Sequence, residues 1–338
     1  MRLREWNPAT APEAELRAWL RSYNSTLAVD LPGDPPWQID RLRDYLSVTM
    51  PGEQRLTWLA EADDAPGEVL GYGRLLVMEG LGVIELNVAP SGRRQHVGEK
   101  LVATIADRAL AEGLTSLGVE AIGGTAAASF YSALGFVHAY TEMRSILDLD
   151  SVDWGHIAEM AAGLSHGYRV RFYAGDLPNE LLSAYAEAKQ VRQLDPTGDL
   201  DLKPSSYDAE RLRASLRCLN GRGLRPYIVV AVHERTGMVA ALTELVVPSQ
   251  HPTRADQYDT IIVPEHNGYG LARAIKARML LELRQHEPQL RDVQTWHAQD
   301  REQLQQVNTE LGFNPDREWR EYEVEAQDLA ARLTGARS

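Results

Sequence analysis

One cysteine is all that the 338 residues contain. Cys218 alone excludes an internal disulfide and a cysteine-ligated metal cluster, and such sparse thiol usage points to a reducing compartment, the cytoplasm. The nine histidines form no H-x-x-x-H pair, so no metal is expected. No stretch approaches the ~18–20 apolar residues of a membrane span, and the opening MRLREWNPATAPEAELRAWL lacks the apolar run of a secretory signal, so neither membrane insertion nor export is expected. Positive charge is scarce as well. The 35 Lys and Arg against 48 Asp and Glu leave a formal charge of −13, a field that repels nucleic-acid phosphates and anionic lipid and favours cationic partners. Also missing are the G-x-x-x-x-G-K-[ST] loop of nucleotide triphosphatases, the G-x-G-x-x-G dinucleotide fingerprint and the G-x-S-x-G elbow of serine hydrolases.

What is present is an ordinary globular balance, 44% hydrophobic and 25% charged, over a length that favours two domains at roughly 100–200 residues each. Periodicity predicts a strand over 3–6, helices over 11–27 and 37–49, and strands over 56–61, 69–77 and 83–88. A helix over 98–112, with Leu101, Ile105 and Ala109 on one face and Gly113 as its stop, is followed by a strand over 117–121, a helix over 125–134 and a strand over 143–149. The second half repeats the order: a strand over 168–174, helices over 178–193 and 207–219, strands over 227–233, 238–247 and 258–263, a helix over 270–285, a strand over 293–296, a helix over 301–311 and a strand over 319–324. Dissimilar landmarks recur at nearly one offset. ValAlaPro ends at Pro90 and IleIleValPro at Pro264, 174 residues on, while LeuGlyPhe recurs at 134–136 and 311–313, 177 residues on. This is a duplication with the period of a whole domain. The expected division is residues 1–150, a helical linker over 151–166 and residues 167–338.

The strongest site signal is IleIleValProGluHisAsnGlyTyrGlyLeuAla, residues 261–272. Glycines between a strand and a helix let backbone N–H groups approach a phosphate, and the helix N-terminus adds a favourable dipole. Strand, [Gln/Arg]-x-x-Gly-x-[Gly/Ala], helix, strand and a helix ending in LeuGlyPhe together resemble the GNAT superfamily of N-acetyltransferases, and both halves fit, over about 3–149 and 168–324. The resemblance implies an α/β (α+β) fold of two tandem GNAT-like domains, each a mixed, mostly antiparallel sheet flanked by helices. It also implies acetyl-CoA as acyl-donor co-substrate. Its motif falls on Asn267, Gly268, Tyr269, Gly270, Leu271 and Ala272, with Ile262 and Val263 leading into it. In the first half the same register runs from Arg93 to Gly98 and puts His96 where the family has a glycine, so coenzyme binding is assigned to residues 167–338, with the first half a partner whose loop is degenerate.

The family's chemistry implies attack by a neutral amine on the thioester, a backbone N–H polarising the carbonyl, and a tyrosine protonating the departing thiolate. The tyrosine position is Tyr131 in the first half and Asn308 in the second; an amide is no acid, so the second half either uses another residue, such as Tyr269 or Tyr322, or leaves protonation to water. Tyr131 is thus either the proton donor or a packed aromatic, and either half is a candidate for the reacting one. Glu85 and Asp259, each five residues before its proline, are candidate acid/base or ammonium-holding carboxylates, the alternative being solvated strand residues. Trp296 and His297 are candidates to line the acceptor side. The resulting expectation is acetylation of a small, cationic amine. The alternatives are a non-catalytic coenzyme A sensor or scaffold, and a protein or peptide N-acetyltransferase.

Overall fold

The computed structural model describes residues 1–50, 52–65, 67–78, 81–191, 208–249, 251–298 and 302–335. Ends of expected helices at 192–193, 207 and 301 lie outside them. The described chain divides into two compact units, residues 1–141 with 319–335 and residues 142–191 with 208–318. These differ from the sequential halves at two places, inside strand β6 (Val137–Asp148) and inside strand β12 (Asn314–Glu325).

In the first unit the sheet runs β1 (Arg2–Glu5), β2 (Glu53–Glu61), β3 (Val69–Met78), β4 (Leu81–Val88) and β5 (Ser116–Ile122), and is completed by residues 319–325 of β12 antiparallel to β5. Only β4 and β5 are parallel, because the helical crossover α3 (Val97–Ala111) joins them. Successive residues of a strand face opposite sides, so the sheet buries two faces. One face packs Leu101 and Ile105 of α3 on Leu75, Ile84 and Val119, together with Leu329 and Leu333 of α10 (Ala326–Gly335). The other packs Leu16 and Trp19 of α1 (Glu13–Asp30) and Leu42 and Leu46 of α2 (Ile39–Ser47) on Leu59 and Tyr72. The short α4 (Ala126–Ala133), capped by Thr125, closes the crossover after β5.

The second unit repeats this plan. Residues 142–148 of β6 pair antiparallel with β11 (Asp292–Ala298), which is parallel to β10 (Arg254–Ile262); β9 (Val239–Pro248), β8 (Leu224–His233) and β7 (Tyr168–Ala174) follow. Helix α8 (Leu271–His286) is the crossover and shares its core with α5 (Trp154–Ala162), the helix that falls in the segment expected to be a linker. The opposite face carries α6 (Asn179–Gln190) and α7 (Ala209–Gly221), and α9 (Glu302–Leu311) corresponds to α4. Among the described residues no helix is long and apolar enough to cross a membrane.

Candidate functional site

In both units the parallel strand pair comes apart. Pairing of β4 with β5 stops at Ile84↔Val119, and that of β10 with β11 at Gln257↔Thr295. The second unit adds a bulge: Gln257 faces Leu245 and Thr260 faces Thr243, so Tyr258 and Asp259 together oppose Glu244. The β3–β4 register has no such shift. A bulge bends its strand and re-aims the side chains beside it, a device common next to active sites.

Beyond each parting, a single 3₁₀ turn (Pro90–Gly92 and Pro264–His266) leads to the crossover helix. The two loops then share one backbone path. Gly268 and Gly270 have φ of 84° and 71°; Arg94 and His96, at the same register, have φ of 62° and 58° and are the positive-φ non-glycine residues of the described chain. Left-handed backbone strains a residue with a Cβ, so the first unit holds this loop at a cost. No side chain caps α3 or α8, which leaves the first-turn N–H groups turned toward the loop.

The loops differ in charge. In the first unit Glu99 stands in the first turn of α3 and its carboxylate meets Nδ1 of His96 at 2.8 Å, with the imidazole 76% exposed. The helix terminus there already has an anion. In the second unit the first turn of α8 has no acidic residue, Asn267 to Gly270 are exposed, and a Cβ added at Gly268 or Gly270 would meet nothing within 4 Å. That open, uncapped loop fits a pyrophosphate-bearing coenzyme. Leu271 is buried as the first helical residue, Ala272 is half-buried, Ile262 ends β10, and Val263 donates its N–H to the carbonyl of Ala240 at 2.9 Å. The Tyr269 carbonyl accepts from Ser165 Oγ at 2.8 Å, which pins the loop. In the first unit Arg93 turns inward, donating to the Val88 carbonyl at 3.2 Å and to the Asp30 carboxylate at 3.0 Å. Gly98 lets α3 sit on Phe130, whose ring a Cβ would meet at 3.2 Å.

Tyr131 lies on α4, buried, its ring 5.3 Å from that of Phe136. Its hydroxyl makes no hydrogen bond among the described residues, and burial raises its pKa. Glu85 is bound on both oxygens: Arg74, 1% exposed, donates to it at 2.7 Å and Tyr45 at 3.0 Å. Burial, and after it the Glu85 carboxylate, push the Tyr45 phenol up to about 12, which keeps it a donor. Asp259 accepts from Lys189 at 2.8 Å; Lys189 also donates to Glu244 at 2.7 Å, and Tyr185 donates to Glu244. Trp296 and His297 follow Thr295 on the parted end of β11.

Three buried cations carry no motif: Arg74 and Lys189 of these clusters, and Lys276 of α8. Only Lys276 had a readable signal, a lysine inside the apolar face Ala274, Ile275, Ala277 and Met279 of α8.

Residues 53–138 match the family model described as acetyltransferase (GNAT) domain. No curated protein sequence matches the chain significantly. Among solved structures, a tandem GNAT protein from the clavulanic acid biosynthesis pathway, solved without acetyl-CoA, is 25% identical with a TM-score of 0.80, over 96% of this chain and 99% of that one. A GCN5-related N-acetyltransferase from Sphaerobacter thermophilus shares the fold at 14% identity and a TM-score of 0.69, over 96% of both chains. With a parting parallel pair, an αL-entered crossover helix and the LeuGlyPhe helix present twice, the chain has the fold of a tandem GNAT protein.

Proposed function

We propose that the protein transfers the acetyl group of acetyl-CoA to the amine of a small, cationic molecule, with the coenzyme held by the second unit. The observation that carries this reading is the uncapped N-terminus of α8 behind Gly268 and Gly270, open to solvent and free of acidic residues in its first turn. Backbone N–H groups there bind the pyrophosphate, and the parted edge of β10 offers backbone groups to the amide-bearing arm. A neutral amine then attacks the thioester carbonyl, whose developing oxyanion calls for a fixed backbone donor. The overall charge of −13 favours a cationic acceptor.

One observation favours the first unit as the reacting one instead: Tyr131 has a hydroxyl without a hydrogen-bond partner among the described residues at the family's proton-donor position. Calorimetric titration with acetyl-CoA, alongside amine-dependent thiol release, separates the two. Gly270→Glu is expected to abolish coenzyme binding and turnover together, and Tyr131→Phe to leave both intact. A large loss of turnover in Tyr131→Phe with unchanged affinity would move the reaction to the first unit. Tight binding with no thiol release across a broad amine panel would leave a coenzyme sensor.

A further inference from the structure

Three positions change character together between the two units. Counted from the αL caps His96 and Gly270, Val102 of α3 corresponds to Lys276 of α8. Counted from the last paired residues Val119 and Thr295, Ala121 of β5 corresponds to His297 of β11. Counted back from LeuGlyPhe, Tyr131 of α4 corresponds to Asn308 of α9. The first unit thus has two apolar residues and a phenol, and the second has three nitrogen-bearing side chains.

These groups share one neighbourhood. In the first unit the Tyr131 ring leans on Phe136 at 5.3 Å; in the second, Phe313 of the same LeuGlyPhe is covered by the Lys276 ammonium at 5.4 Å from its centroid. The backbone carbonyl of Asn308 accepts the N–H of Phe313 at 2.9 Å, and the charge of Lys276 reaches His297. Lys276 is 3% exposed and makes no hydrogen bond or ion pair among the described residues. The Nδ1 of His297 and the Oδ1 of Asn308 are buried without partners among the described residues. Buried polar groups are almost always paired, so two unpaired ones on the elements that pack with the Lys276 helix mark a place for a ligand atom.

We propose that Lys276 protonates the departing coenzyme thiolate in the second unit, the task that Asn308 cannot perform at the tyrosine position. This rests on the reading that the second unit holds acetyl-CoA. As the tetrahedral adduct of amine and thioester collapses, the C–S bond breaks and its electron pair goes to sulfur. An N–H of the Lys276 ammonium transfers its proton to that sulfur, giving free thiol and a neutral lysine. The surplus proton of the attacking nitrogen leaves to water, and Lys276 regains one from solvent, so the balance is amine plus thioester to amide plus thiol. Burial alone pushes Lys276 down to about 7, and no carboxylate of the packed elements offsets it. Burial, and then the charge of Lys276, also lower His297, which disfavours a second cation beside the ammonium. A donor with a pKa near the working pH both gives and recovers its proton.

The test compares wild type, Lys276→Met and Gly270→Glu with acetyl-CoA, with free coenzyme A, and with an activated acetyl thioester whose leaving thiol is strongly acidic. Lys276→Met is expected to bind acetyl-CoA with little change and to lose about 100-fold in kcat. The same variant regains most of its turnover with the activated thioester, which needs no proton donor. It also titrates the thiol of bound coenzyme A, followed by its ultraviolet thiolate band, about one pH unit or more higher than wild type. If Gly270→Glu abolishes binding while Lys276→Met leaves both the thiol titration and the leaving-group dependence unchanged, Lys276 is not the donor. If Gly270→Glu leaves binding intact, the coenzyme lies elsewhere and the underlying reading falls first.

Discussion

Replacing Lys276 with methionine removes a buried ammonium that no group among the described residues neutralises, and the stability it returns is set by pH. In the folded chain burial pushes Lys276 down from 10.5 to about 7. Between those values the unfolded chain holds a proton that the folded chain has released. Unfolding therefore takes up a proton there, and wild-type stability rises with pH; below about 7 both states are protonated and the full cost of the buried charge persists. Each pH unit of that window is worth about 1.4 kcal/mol, so the complete span comes to about 5 kcal/mol. From about pH 7 to about pH 9.5 the wild type should gain about 3 kcal/mol on Lys276→Met. The packing change from Lys to Met is the same at every pH and cancels from this slope. Urea melts of the two proteins at half-unit steps supply the difference directly. Because the cause is burial and not a neighbouring charge, the slope should survive added salt, whereas a Coulombic origin would be screened. Parallel stability curves for the two proteins would mean that the ammonium is solvated, and the case for a poised donor at that position would collapse with it.

The αL loop yields a paired test. His96→Gly removes a strained left-handed residue and should raise thermal stability by about 1 kcal/mol, while Gly270→Ala should lower it by a similar amount; equal melting temperatures would show that the loop relaxes freely. Glu85→Gln leaves the Arg74 guanidinium buried without its anion and should cost about 3 kcal/mol, most of it recovered when Arg74→Met is added. A single variant as stable as wild type in denaturant would show that Arg74 reaches water.

How much of this was readable from the chain depends on where the information sits. The duplication and the order of elements lie in local periodicity, and the phosphate loop lies in its glycines. Strand β10, by contrast, begins at Arg254 and not near 258, because its first turns look polar. Arg254 is matched by Asp292, Asp256 by Gln294, and Gln257 by Thr243 and the Glu244 carbonyl. Cross-strand partners of this kind cannot be read from spacing. The same holds for Glu85, which looks like a solvated strand carboxylate until β3 brings Arg74 opposite it. His96 was legible as a missing glycine. What the chain did not reveal is that the backbone keeps the glycine conformation there and turns the imidazole out onto Glu99.

The places at which the compact units depart from the sequential halves have an energetic consequence. The apolar core of the first unit includes Tyr322, Val324, Ala326, Leu329 and Leu333, all from the end of the chain. Residues 319–325 pair along the whole of β5, from Trp319↔Ile122 to Glu325↔Ser116, beside the strand pair that parts to form the site. A polypeptide ending at residue 150 has the complete set of motifs of its half, and by the sequence alone it should fold. It lacks those five side chains, however, and full burial of each large one is worth about 1.5–3 kcal/mol. The sum is comparable to the 5–15 kcal/mol by which a typical domain is stable. It also leaves the outer edge of β5 unpaired, an open edge that invites association. Residues 1–150 alone should therefore show no cooperative thermal transition and should aggregate, and adding residues 314–338 in trans should restore a transition. A sharp, reversible melt of residues 1–150 by themselves would show that Tyr322 to Leu333 contribute little, and that the first repeat is a complete folding unit.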